Sequence, residues 1–368
     1  MPFIQHIETL VPESSYTQEF ACDVMRSWVT EKKSVRYIDK IYQHSGIEKR
    51  HSVVKDFGKE GSDYLSIYRL NDALHEPSTG ERNATYAVES KLLVEKVSRR
   101  ALDNCPDVSA EEITHVITVS CTGFYNPGPD LAVVNALNLP PSVQRFNLGF
   151  MGCYAAFPAL KMADQFCKAN PDATVLIVCV ELCSLHLQGK EDLDTLVANS
   201  VFADGAAAVL INNRDPLPGR RALDLKNFAC SLAQEGEEDM AWDIGDKGFN
   251  IVLSKYVAKI IGAGIEKIIT EILSGCELSL QDIDTWAVHP GGRAILDKIE
   301  QSLPMKPGQL DASRNILSQY GNMSSPTILF ILAEIMGSPR TSDGDKICAM
   351  AFGPGLTIET STMHAVIS

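Results

Sequence analysis

Short apolar runs typical of buried strands alternate with longer amphipathic segments along the whole chain of 368 residues. The strand-like runs lie at 113–119, 174–180, 206–211, 285–288 and 346–351. Most segments between them carry apolar residues every three or four positions, as expected for helices with one buried face. Helices are predicted in this way over 15–32, 129–137, 251–274, 293–302 and 326–337, and a polar loop is predicted over 317–325. This alternation predicts an α/β fold built in layers. The length suits two core-forming halves, 1–212 and 222–368, joined by a polar stretch with two prolines.

Charge and cysteine usage narrow the class of function. The formal net charge is -14 and the isoelectric point is near 5.0, which argues against binding to nucleic acid or to an anionic membrane. The ten cysteines are scattered without a Cys-x-x-Cys pair, so we expect reduced thiols in a cytoplasmic protein and no metal site. The N-terminus lacks the pattern of a signal peptide, and no apolar run is long enough to span a membrane.

One cysteine stands where a predicted strand turns into a predicted helix. Residues 143–148 favour a strand and 155–169 favour a helix, which places Cys153 just before the helix. Unpaired N–H groups and the helix dipole stabilise negative charge at such a place, so we expect a lowered pKa for the Cys153 thiol and a role as nucleophile. The small Ala155 and Ala156 leave room beside the sulfur. The alternative is a buried structural cysteine.

Two polar residues of the second half occupy comparable places. His289 ends a predicted strand before a Gly-Gly turn, and Asn322 lies in a glycine-containing loop before a helix. Cysteine chemistry on a thioester needs a thiolate, a proton acceptor and donors for the oxyanion, which a Cys, a His and an Asn supply together. Taken singly, His289 could be a strand-end histidine with satisfied hydrogen bonds, and Asn322 a turn residue. Sequence spacing alone does not bring the three together in space.

Five segments, in order across most of the chain, resemble the type III polyketide synthases, the chalcone-synthase-like family. They are Gly152-Cys-Tyr-Ala-Ala156, Ser200-Val-Phe-Ala-Asp-Gly-Ala-Ala-Ala208, Ala287-Val-His-Pro-Gly-Gly292, Leu317-Ser-Gln-Tyr-Gly-Asn-Met-Ser-Ser325 and Phe352-Gly-Pro-Gly-Leu-Thr-Ile-Glu359. Related condensing enzymes share a Cys-His-Asn set. The His-Pro-Gly-Gly and Tyr-Gly-Asn-Met-Ser-Ser strings are similar to this family rather than to the fatty-acid starter ketosynthases.

The resemblance implies a thiolase-like fold, with two duplicated halves stacked as five αβαβα layers, and a homodimer. It implies that Cys153 takes the acyl group of a starter CoA thioester, after which malonyl-CoA loses CO2 and its enolate attacks the acyl-enzyme. His289 and Asn322 would hold the thioester oxygens, with His289 also keeping Cys153 as a thiolate. Phe202 would be the phenylalanine that packs between the CoA tunnel and the cavity. No metal or other cofactor is implied, because the CoA thioesters are substrates.

Several positions depart from the plant members, so the chain resembles a microbial branch. The loop 121–130 is shorter than theirs, and the second gatekeeping phenylalanine has only Trp242 near its place. Cavity positions that are threonines in chalcone synthases are similar to Cys183 and His186 here. Ser324, within the Tyr-Gly-Asn-Met-Ser-Ser string, is implied to bind substrate.

Small side chains beside the nucleophile and at Cys183 predict a deep apolar tunnel. Each buried CH2 of a starter would contribute roughly 0.8 kcal/mol, so we expect medium-to-long acyl-CoA starters to be preferred over acetyl-CoA. Two malonyl extensions would then give alkyl pyrones, or resorcinol-type products. The alternative is a compact cavity bounded by His186 and Trp242.

The segment 40–55 offers Lys40 and Arg50 for the phosphates of CoA, although both could equally be surface charges. Two other functions remain open at this point. One is a starter ketosynthase of the β-ketoacyl-acyl carrier protein synthase III type, which would take its extender from a carrier protein. The other is a non-catalytic homologue that acts as a dimer partner, which would have no need for Cys153, His289 and Asn322 together.

Overall fold

The computed structural model describes residues 1–55, 67–70, 73–233, 239–254 and 257–368. Its strands are β1 (Phe3–Leu10), β2 (Ser15–Thr17), β3 (Lys49–His51), β4 (Arg69–Leu70), β5 (Ala73–Leu74), β6 (His115–Ser120), β7 (Gln144–Gly149), β8 (Val175–Leu182), β9 (Asp204–Asn212), β10 (Arg221–Leu232), β11 (Met240–Gly245), β12 (Gly248–Leu253), β13 (Thr285–Val288), β14 (Lys346–Gly353) and β15 (Thr357–Ile367). Its helices are α1 (Gln18–Trp28), α2 (Lys32–Gln43), α3 (Thr79–Asp103), α4 (Pro129–Leu137), α5 (Ala156–Ala169), α6 (Leu193–Val201), α7 (Val257–Ser274), α8 (Arg293–Ser302), α9 (Asp311–Tyr320) and α10 (Pro326–Gly337).

The two halves of the chain meet in the middle of one hydrogen-bonded sheet. Its strand order is β13-β14-β15-β10-β1-β9-β8-β6-β7, and β1 pairs antiparallel with both β9 and β10. Outward from this junction, each half has two antiparallel pairings and then a parallel one: β1-β9-β8-β6 on one side and β10-β15-β14-β13 on the other. The shared order and direction of these strands are what a duplicated half predicts.

A local signal repeats in the same way. A short turn precedes β6, where the N–H of Ser109 donates to Glu112 at 2.7 Å. An equivalent turn precedes β13, where the N–H of Ser279 donates to Asp282 at 2.8 Å. Each acidic side chain caps the turn that delivers the chain into a buried parallel strand.

Alternate side chains of the buried strands enter two different cores, as the period of two requires. In β8, Ile177 and Cys179 belong to a central cluster with α5 and α10, whereas Leu176 and Val178 belong to an outer cluster with α3. In β14, the residues that alternate with Ala349 face a second outer cluster with α7. Both half-sheets therefore cover the same central helices, and the layers follow the predicted order αβαβα.

Several predicted elements have the expected bounds, among them the helices at 129–137, 293–302 and 326–337. The helix predicted over 251–274 is wrong in its first part, because β12 ends at Leu253 and α7 begins at Val257. β-Branched Ile251 and Val252 suit a strand, and the hairpin partner β11 supplies the pairing that periodicity could not show. Tyr256, assigned to that helix, lies outside the described residues.

Two further predictions needed correction. The helix predicted over 15–32 begins at Gln18 and ends at Trp28, and the loop predicted from 317 begins only after Tyr320. Among the helices that the structure describes, none combines the length and apolar character needed to cross a membrane.

Candidate active site

Cys153 lies in the tight connection between β7 and α5. The chain reverses through positive φ angles at Phe150 (59°) and Gly152 (88°). A Cβ on Gly152 would lie 2.4 Å from Cδ of Pro354, so only glycine fits this close approach. The turn leaves Cys153 half-buried and facing a cavity, whereas Ala155 and Ala156 are fully buried in the central core and do not line that cavity.

His289 follows β13 and is completely buried. Its backbone N–H donates to the carbonyl of Met350 at 2.9 Å, which extends the β13–β14 pairing up to the site. Neither ring nitrogen has a hydrogen-bond partner among the described residues. Burial lowers the pKa of His289 to about 3, so the ring is neutral and offers one N–H donor and one acceptor nitrogen. Buried polar groups are rarely left unpaired, so this ring points to a bound ligand.

Asn322 is held on three sides by hydrogen bonds. Its backbone N–H donates to Val201 at 2.8 Å, and its carbonyl accepts from Ala203 at 2.9 Å. Its side-chain oxygen accepts from the N–H of Ser324 at 2.8 Å, within a turn that sets Ser324 at a φ of 56°. The amide group is therefore fixed with its NH2 left to donate, and this group bonds to the sulfur of Cys153, as does Ser324.

Cys153, His289, Asn322 and Ser324 line one cavity. Most of its other walls are apolar, formed by Phe202, Met240, Trp242, Ile251, Leu253, Ile295, Phe352 and Pro354. The structure thus brings together the three residues whose convergence the sequence could not show. An apolar cavity of this kind strengthens each hydrogen bond made to a developing negative charge.

The expected low pKa of the nucleophile is wrong for the substrate-free site. The pKa of the Cys153 thiol is raised to about 11, chiefly by burial and in part by the charge of Glu181, whereas hydrogen bonds from Ser324 and Asn322 act in the opposite direction. Cys153 lies two residues before the N-cap residue Ala155 of α5. It is therefore outside the first helical turn, where the helix dipole acts most strongly. At neutral pH the pair of Cys153 and His289 is therefore a thiol beside a neutral imidazole.

Glu181 is a buried carboxyl beneath the cavity that was not assigned a role from the sequence. One oxygen accepts from Ser325 Oγ at 2.7 Å, and the other accepts from Thr122 Oγ1 at 2.8 Å and from the N–H of Cys121 at 2.9 Å. Burial raises its pKa to about 7, while these donors lower it. The sequence feature that could have identified Glu181 is its position as a charged residue near the end of the otherwise apolar strand β8.

A second, smaller cavity lies behind the first and is lined by Cys183, His186 and Phe249. His186 does not offer a free nitrogen: Nε2 bonds to the carbonyl of Thr122 at 2.7 Å, and Nδ1 accepts from the N–H of Phe249 at 3.1 Å. Its ring stacks on Phe249 at 4.0 Å. The substrate-binding role predicted for His186 is thus limited to forming an aromatic wall. Phe202, Trp242 and Ile251 line both cavities.

A basic-sided groove opens next to the first cavity. Lys40 of α2, His44 directly after α2 and Arg293 at the start of α8 line it, together with one acidic residue, Asp194 of α6. Leu253, Gly291 and Ile295 line both the groove and the cavity. Lys40 is exposed in this groove, as its predicted role requires. Sequence reasoning did not single out His44 or Arg293 for this place, although His44 lies one helical turn from Lys40.

The structure contradicts the prediction that Arg50 binds a CoA phosphate. Arg50 is 2% exposed, and its guanidinium donates to the backbone carbonyls of Asn199 and Phe202, both at 2.8 Å. The same group lies over the rings of Tyr16 and Tyr42. Arg50 is a structural residue beneath the site, because its donors are used by the fold and solvent does not reach it.

Family models match almost the whole chain. Residues 4–216 match the N-terminal domain of chalcone and stilbene synthases, and residues 224–367 match the C-terminal domain.

Individual proteins agree with this result. The "Alpha-pyrone synthesis polyketide synthase-like Pks18" of Mycobacterium tuberculosis is 30% identical over 361 residues, which cover 97% of this chain and 89% of that protein. The crystal structure of PKS-I from the brown alga Ectocarpus siliculosus superposes with a TM-score of 0.91 at 28% identity, covering 99% of this chain and 98% of that one. The 1,3,6,8-tetrahydroxynaphthalene synthase of Streptomyces coelicolor A3(2), a bacterial type III polyketide synthase, gives 0.86 at 28% identity, with 100% of each chain covered.

Proposed function

The chain belongs to the chalcone and stilbene synthase family of type III polyketide synthases, and we propose that it extends a fatty acyl group held on Cys153 with malonyl-CoA to give alkyl pyrones. As a member of this family it is an acyltransferase with a thiolase-like fold. One observation carries the assignment of the site: the unpaired ring nitrogens of buried His289 lie in the same apolar cavity as Cys153 and Asn322.

In the proposed loading step, the sulfur of Cys153 attacks the carbonyl carbon of an acyl-CoA thioester. Because the thiol is protonated at neutral pH, its proton moves to the acceptor nitrogen of neutral His289 as the S–C bond forms. The same proton then passes to the departing sulfur of CoA, so no net charge remains. Asn322 donates to the thioester oxygen while it carries negative charge.

In the extension step, the carboxylate of malonyl-CoA leaves as CO2 and the electron pair of the broken C–C bond becomes an enolate. A ring N–H of His289 and the amide of Asn322 donate to the enolate oxygen. The enolate carbon attacks the acyl carbonyl, and the sulfur of Cys153 leaves. Each of these donors is of the kind whose removal costs roughly a hundred- to a thousandfold in rate. The resemblance implies no metal or other cofactor for this sequence.

The groove beside the cavity suits the CoA carrier. Lys40, His44 and Arg293 supply positive or protonatable groups at its walls for the phosphates. Leu253, Gly291 and Ile295, which border both spaces, mark the path by which the pantetheine arm would reach Cys153. Phe202 packs at the C-terminal end of α6, beside Val201 of the groove and inside the cavity, which suits the gatekeeping position implied by the resemblance.

Alkyl pyrones are the products that best combine these features. Two extensions give a triketide held on CoA, whose C5 enol oxygen can attack the thioester carbonyl and close a six-membered lactone, with the sulfur of CoA as the leaving group. The related Mycobacterium protein is named for alpha-pyrone synthesis. The starter chain would extend past Phe202 and Trp242 towards Cys183, and the wall of His186 stacked on Phe249 would limit its length. Medium chains are therefore the starters we propose.

A homodimer in the cytoplasm is part of the proposal. Strand β7 forms one edge of the large sheet and pairs with β6 alone among the described strands. Four of its six residues are exposed. An edge of this kind is a template for a second copy of the same strand. Light scattering at micromolar concentration measures the mass, and a monomer would contradict the dimer.

The cysteines support the proposed cytoplasmic location. All ten are free thiols, which suits a reducing compartment.

The test of function is direct. The purified protein is incubated with octanoyl-CoA, intact-protein mass spectrometry measures acylation of Cys153, and malonyl-CoA is added before products are analysed. We expect acyl-Cys153 and an alkyl pyrone, and the same result for the control Cys276→Ala, which removes a half-buried thiol outside the site. Extension only from malonyl-acyl carrier protein would identify a starter ketosynthase instead. No acylation at all would identify a non-catalytic homologue.

Starter length is tested separately. The value of kcat/KM should rise from acetyl-CoA through butyryl-CoA to octanoyl-CoA, because each added CH2 is buried against the apolar walls. A decrease of kcat/KM from butyryl-CoA onward would replace the tunnel with a compact cavity bounded by His186 and Trp242.

A further inference from the structure

Two residues of the catalytic cavity have buried nitrogen atoms without a hydrogen-bond partner. Among the described residues that line the cavity with Cys153, these are His289 and Trp242. The other polar groups there are engaged: Thr122 donates to Glu181 and accepts from Leu182, the side chains of Asn322 and Ser324 bond to Cys153, and the sulfur of Cys121 accepts from Gly152. The proposed chemistry uses the ring of His289 but leaves the indole N–H of Trp242 unexplained.

Trp242 is held firmly in place. It lies in β11 opposite Ile251 of β12. Its ring meets Phe202, His186 and Phe249 edge-to-face, at centroid distances of 5.9, 6.0 and 6.1 Å. An indole fixed by three aromatic neighbours cannot easily turn its N–H towards solvent. Buried tryptophan N–H groups normally have an acceptor, so the absence of one within the described structure is unusual.

The second cavity does not supply the acceptor either. No described residue that borders it accepts a hydrogen bond from the indole N–H. Both ring nitrogens of His186 are bonded elsewhere, to the carbonyl of Thr122 and to the N–H of Phe249. Trp242 borders both cavities, and indole nitrogen is a donor only. A ligand oxygen in one of these spaces is therefore the acceptor that the fold leaves room for.

We propose that Trp242 is a specificity-determining residue whose Nε1–H donates a hydrogen bond to a keto oxygen of the growing polyketide chain. The inference rests on the proposed function, because it requires a chain extended on Cys153. A plain fatty acyl starter carries no oxygen beyond its thioester. After one extension and return to Cys153, the chain has a keto group at C3, two carbons from the sulfur-bound carbonyl. The indole N–H of Trp242 thus has a partner in the extended intermediate and none in the starter, which meets only the ring.

The hydrogen bond from Trp242 would favour the second extension of the chain over its release after the first. A neutral donor transfers no proton, so its effect is to orient the 3-oxoacyl chain for the second extension. In an apolar cavity, a site built around a polar donor discriminates strongly between ligands with and without the matching oxygen. Loading of the first acyl group and decarboxylation of malonyl-CoA depend chiefly on Cys153, His289 and Asn322, and should depend on Trp242 only through the apolar wall that its ring forms.

The experiment compares hexanoyl-CoA with 3-oxohexanoyl-CoA, which differ by one keto oxygen, as starters for the wild type and for Trp242→Phe. We expect kcat/KM for 3-oxohexanoyl-CoA to fall about tenfold in Trp242→Phe, as for loss of one hydrogen bond in a buried site. The rate of Cys153 acylation by hexanoyl-CoA, followed by mass spectrometry, should fall by a smaller factor, because phenylalanine keeps most of the apolar wall that the starter passes and the starter offers the indole no oxygen. Starting from hexanoyl-CoA, released products should shift from triketide to diketide.

Ile251→Val is the matched control. It borders the same two cavities opposite Trp242 and changes their volume without touching a donor. The ratio of the two kcat/KM values should be unchanged in this variant. Circular dichroism checks folding. If Trp242→Phe does not fold, 3-benzothienylalanine at position 242, which keeps the ring shape and replaces N–H by sulfur, takes its place.

Equal effects on both thioesters, or an unchanged ratio of triketide to diketide, would overturn the role of Trp242 while leaving the proposed function intact. Absence of Cys153 acylation in the wild type would overturn the proposed function, and this inference with it.

Discussion

Phe202 and Asn322 are joined by an isolated parallel β-bridge, which ties a residue of the first half to a donor of the second. The N–H of Asn322 donates to Val201, and its carbonyl accepts from Ala203. The carbonyl of Phe202 accepts from Arg50 at 2.8 Å. Phe202, which lines the cavity, and the amide of Asn322 at Cys153 therefore share one backbone support. A displacement of either segment changes both the shape of the cavity and the position of the donor.

Arg50→Met should destabilise the protein rather than weaken CoA binding. The substitution removes two hydrogen bonds from a buried cation and leaves the carbonyls of Asn199 and Phe202 without this donor, for a loss of about 3 kcal/mol. Chemical denaturation measures this loss. Lys40→Ala, in contrast, should keep its stability and raise KM for acyl-CoA about two- to fivefold at low salt. An unchanged unfolding midpoint for Arg50→Met would contradict the structural role.

Cys153→Ala should abolish acylation and product formation while the protein stays folded. Loss of a nucleophile typically lowers kcat by more than about a thousandfold. The fold should tolerate the change because the half-buried side chain is small. Intact-mass analysis and product assays measure the two losses, and thermal melting checks the fold. Substantial turnover by the alanine variant would exclude Cys153 as the nucleophile.

His289→Ala and Asn322→Ala should both lower malonyl-CoA decarboxylation by roughly a hundredfold or more, because each removes a donor to the enolate oxygen. Loading should differ between them. His289→Ala removes the only proton acceptor we assign to the Cys153 thiol, whereas Asn322→Ala keeps it. Release of CO2 and acyl-enzyme formation are measured side by side. An equal loss of loading in the two variants would refute the division of roles.

The reactivity of Cys153 should depend on pH as that of a buried thiol does. Its pKa is raised to about 11, so the thiolate fraction in the free protein rises with pH throughout the neutral range. Alkylation of Cys153 by iodoacetamide should accelerate about tenfold per pH unit between pH 7 and pH 10. A plateau that begins below pH 7 would show instead that the thiolate–imidazolium pair predicted from the sequence exists before substrate binds.

The buried carboxyl of Glu181 should make the protein less stable as pH rises. Its pKa is raised from 4.5 to about 7, so the folded state keeps a proton that the unfolded state has already released. The loss begins above pH 4.5, is complete above pH 7, and is on the order of 3 kcal/mol. Glu181→Gln should remove it.

The difference between wild type and Glu181→Gln in free energy of unfolding, measured at pH 5 and pH 8, isolates this carboxyl. Asp204, whose pKa is raised to about 6 by burial, is present in both proteins and cancels. If the difference does not change between the two pH values, the carboxyl is not held protonated as the geometry implies.

Much of the fold and of the catalytic set followed from local patterns. The helices at 129–137 and 293–302 could be predicted because residues within a few positions determine an amphipathic face and its ends. Cys153, His289 and Asn322 could be singled out because each stands at the end of an element where side chains are presented to a site. The hairpin of β11 and β12 was missed, since its pairing partners are both short and only their contact makes them strands.

The sequence by itself determined the alternation of strands and helices, the duplicated layers and the residues able to do thioester chemistry. Only the tertiary structure decided which charged side chains face a ligand-accessible groove and which titratable groups stay protonated at neutral pH. Arg50 and Lys40 look alike as neighbouring basic residues, yet one lies beneath the bridge of Phe202 and Asn322 and the other faces the groove. The thiol of Cys153 is protonated mainly because the folded chain buries it, and the charge of Glu181, which is distant in sequence, acts in the same direction. Desolvation and hydrogen bonding depend on what packs around a group, and that is settled only when the two halves of the chain meet.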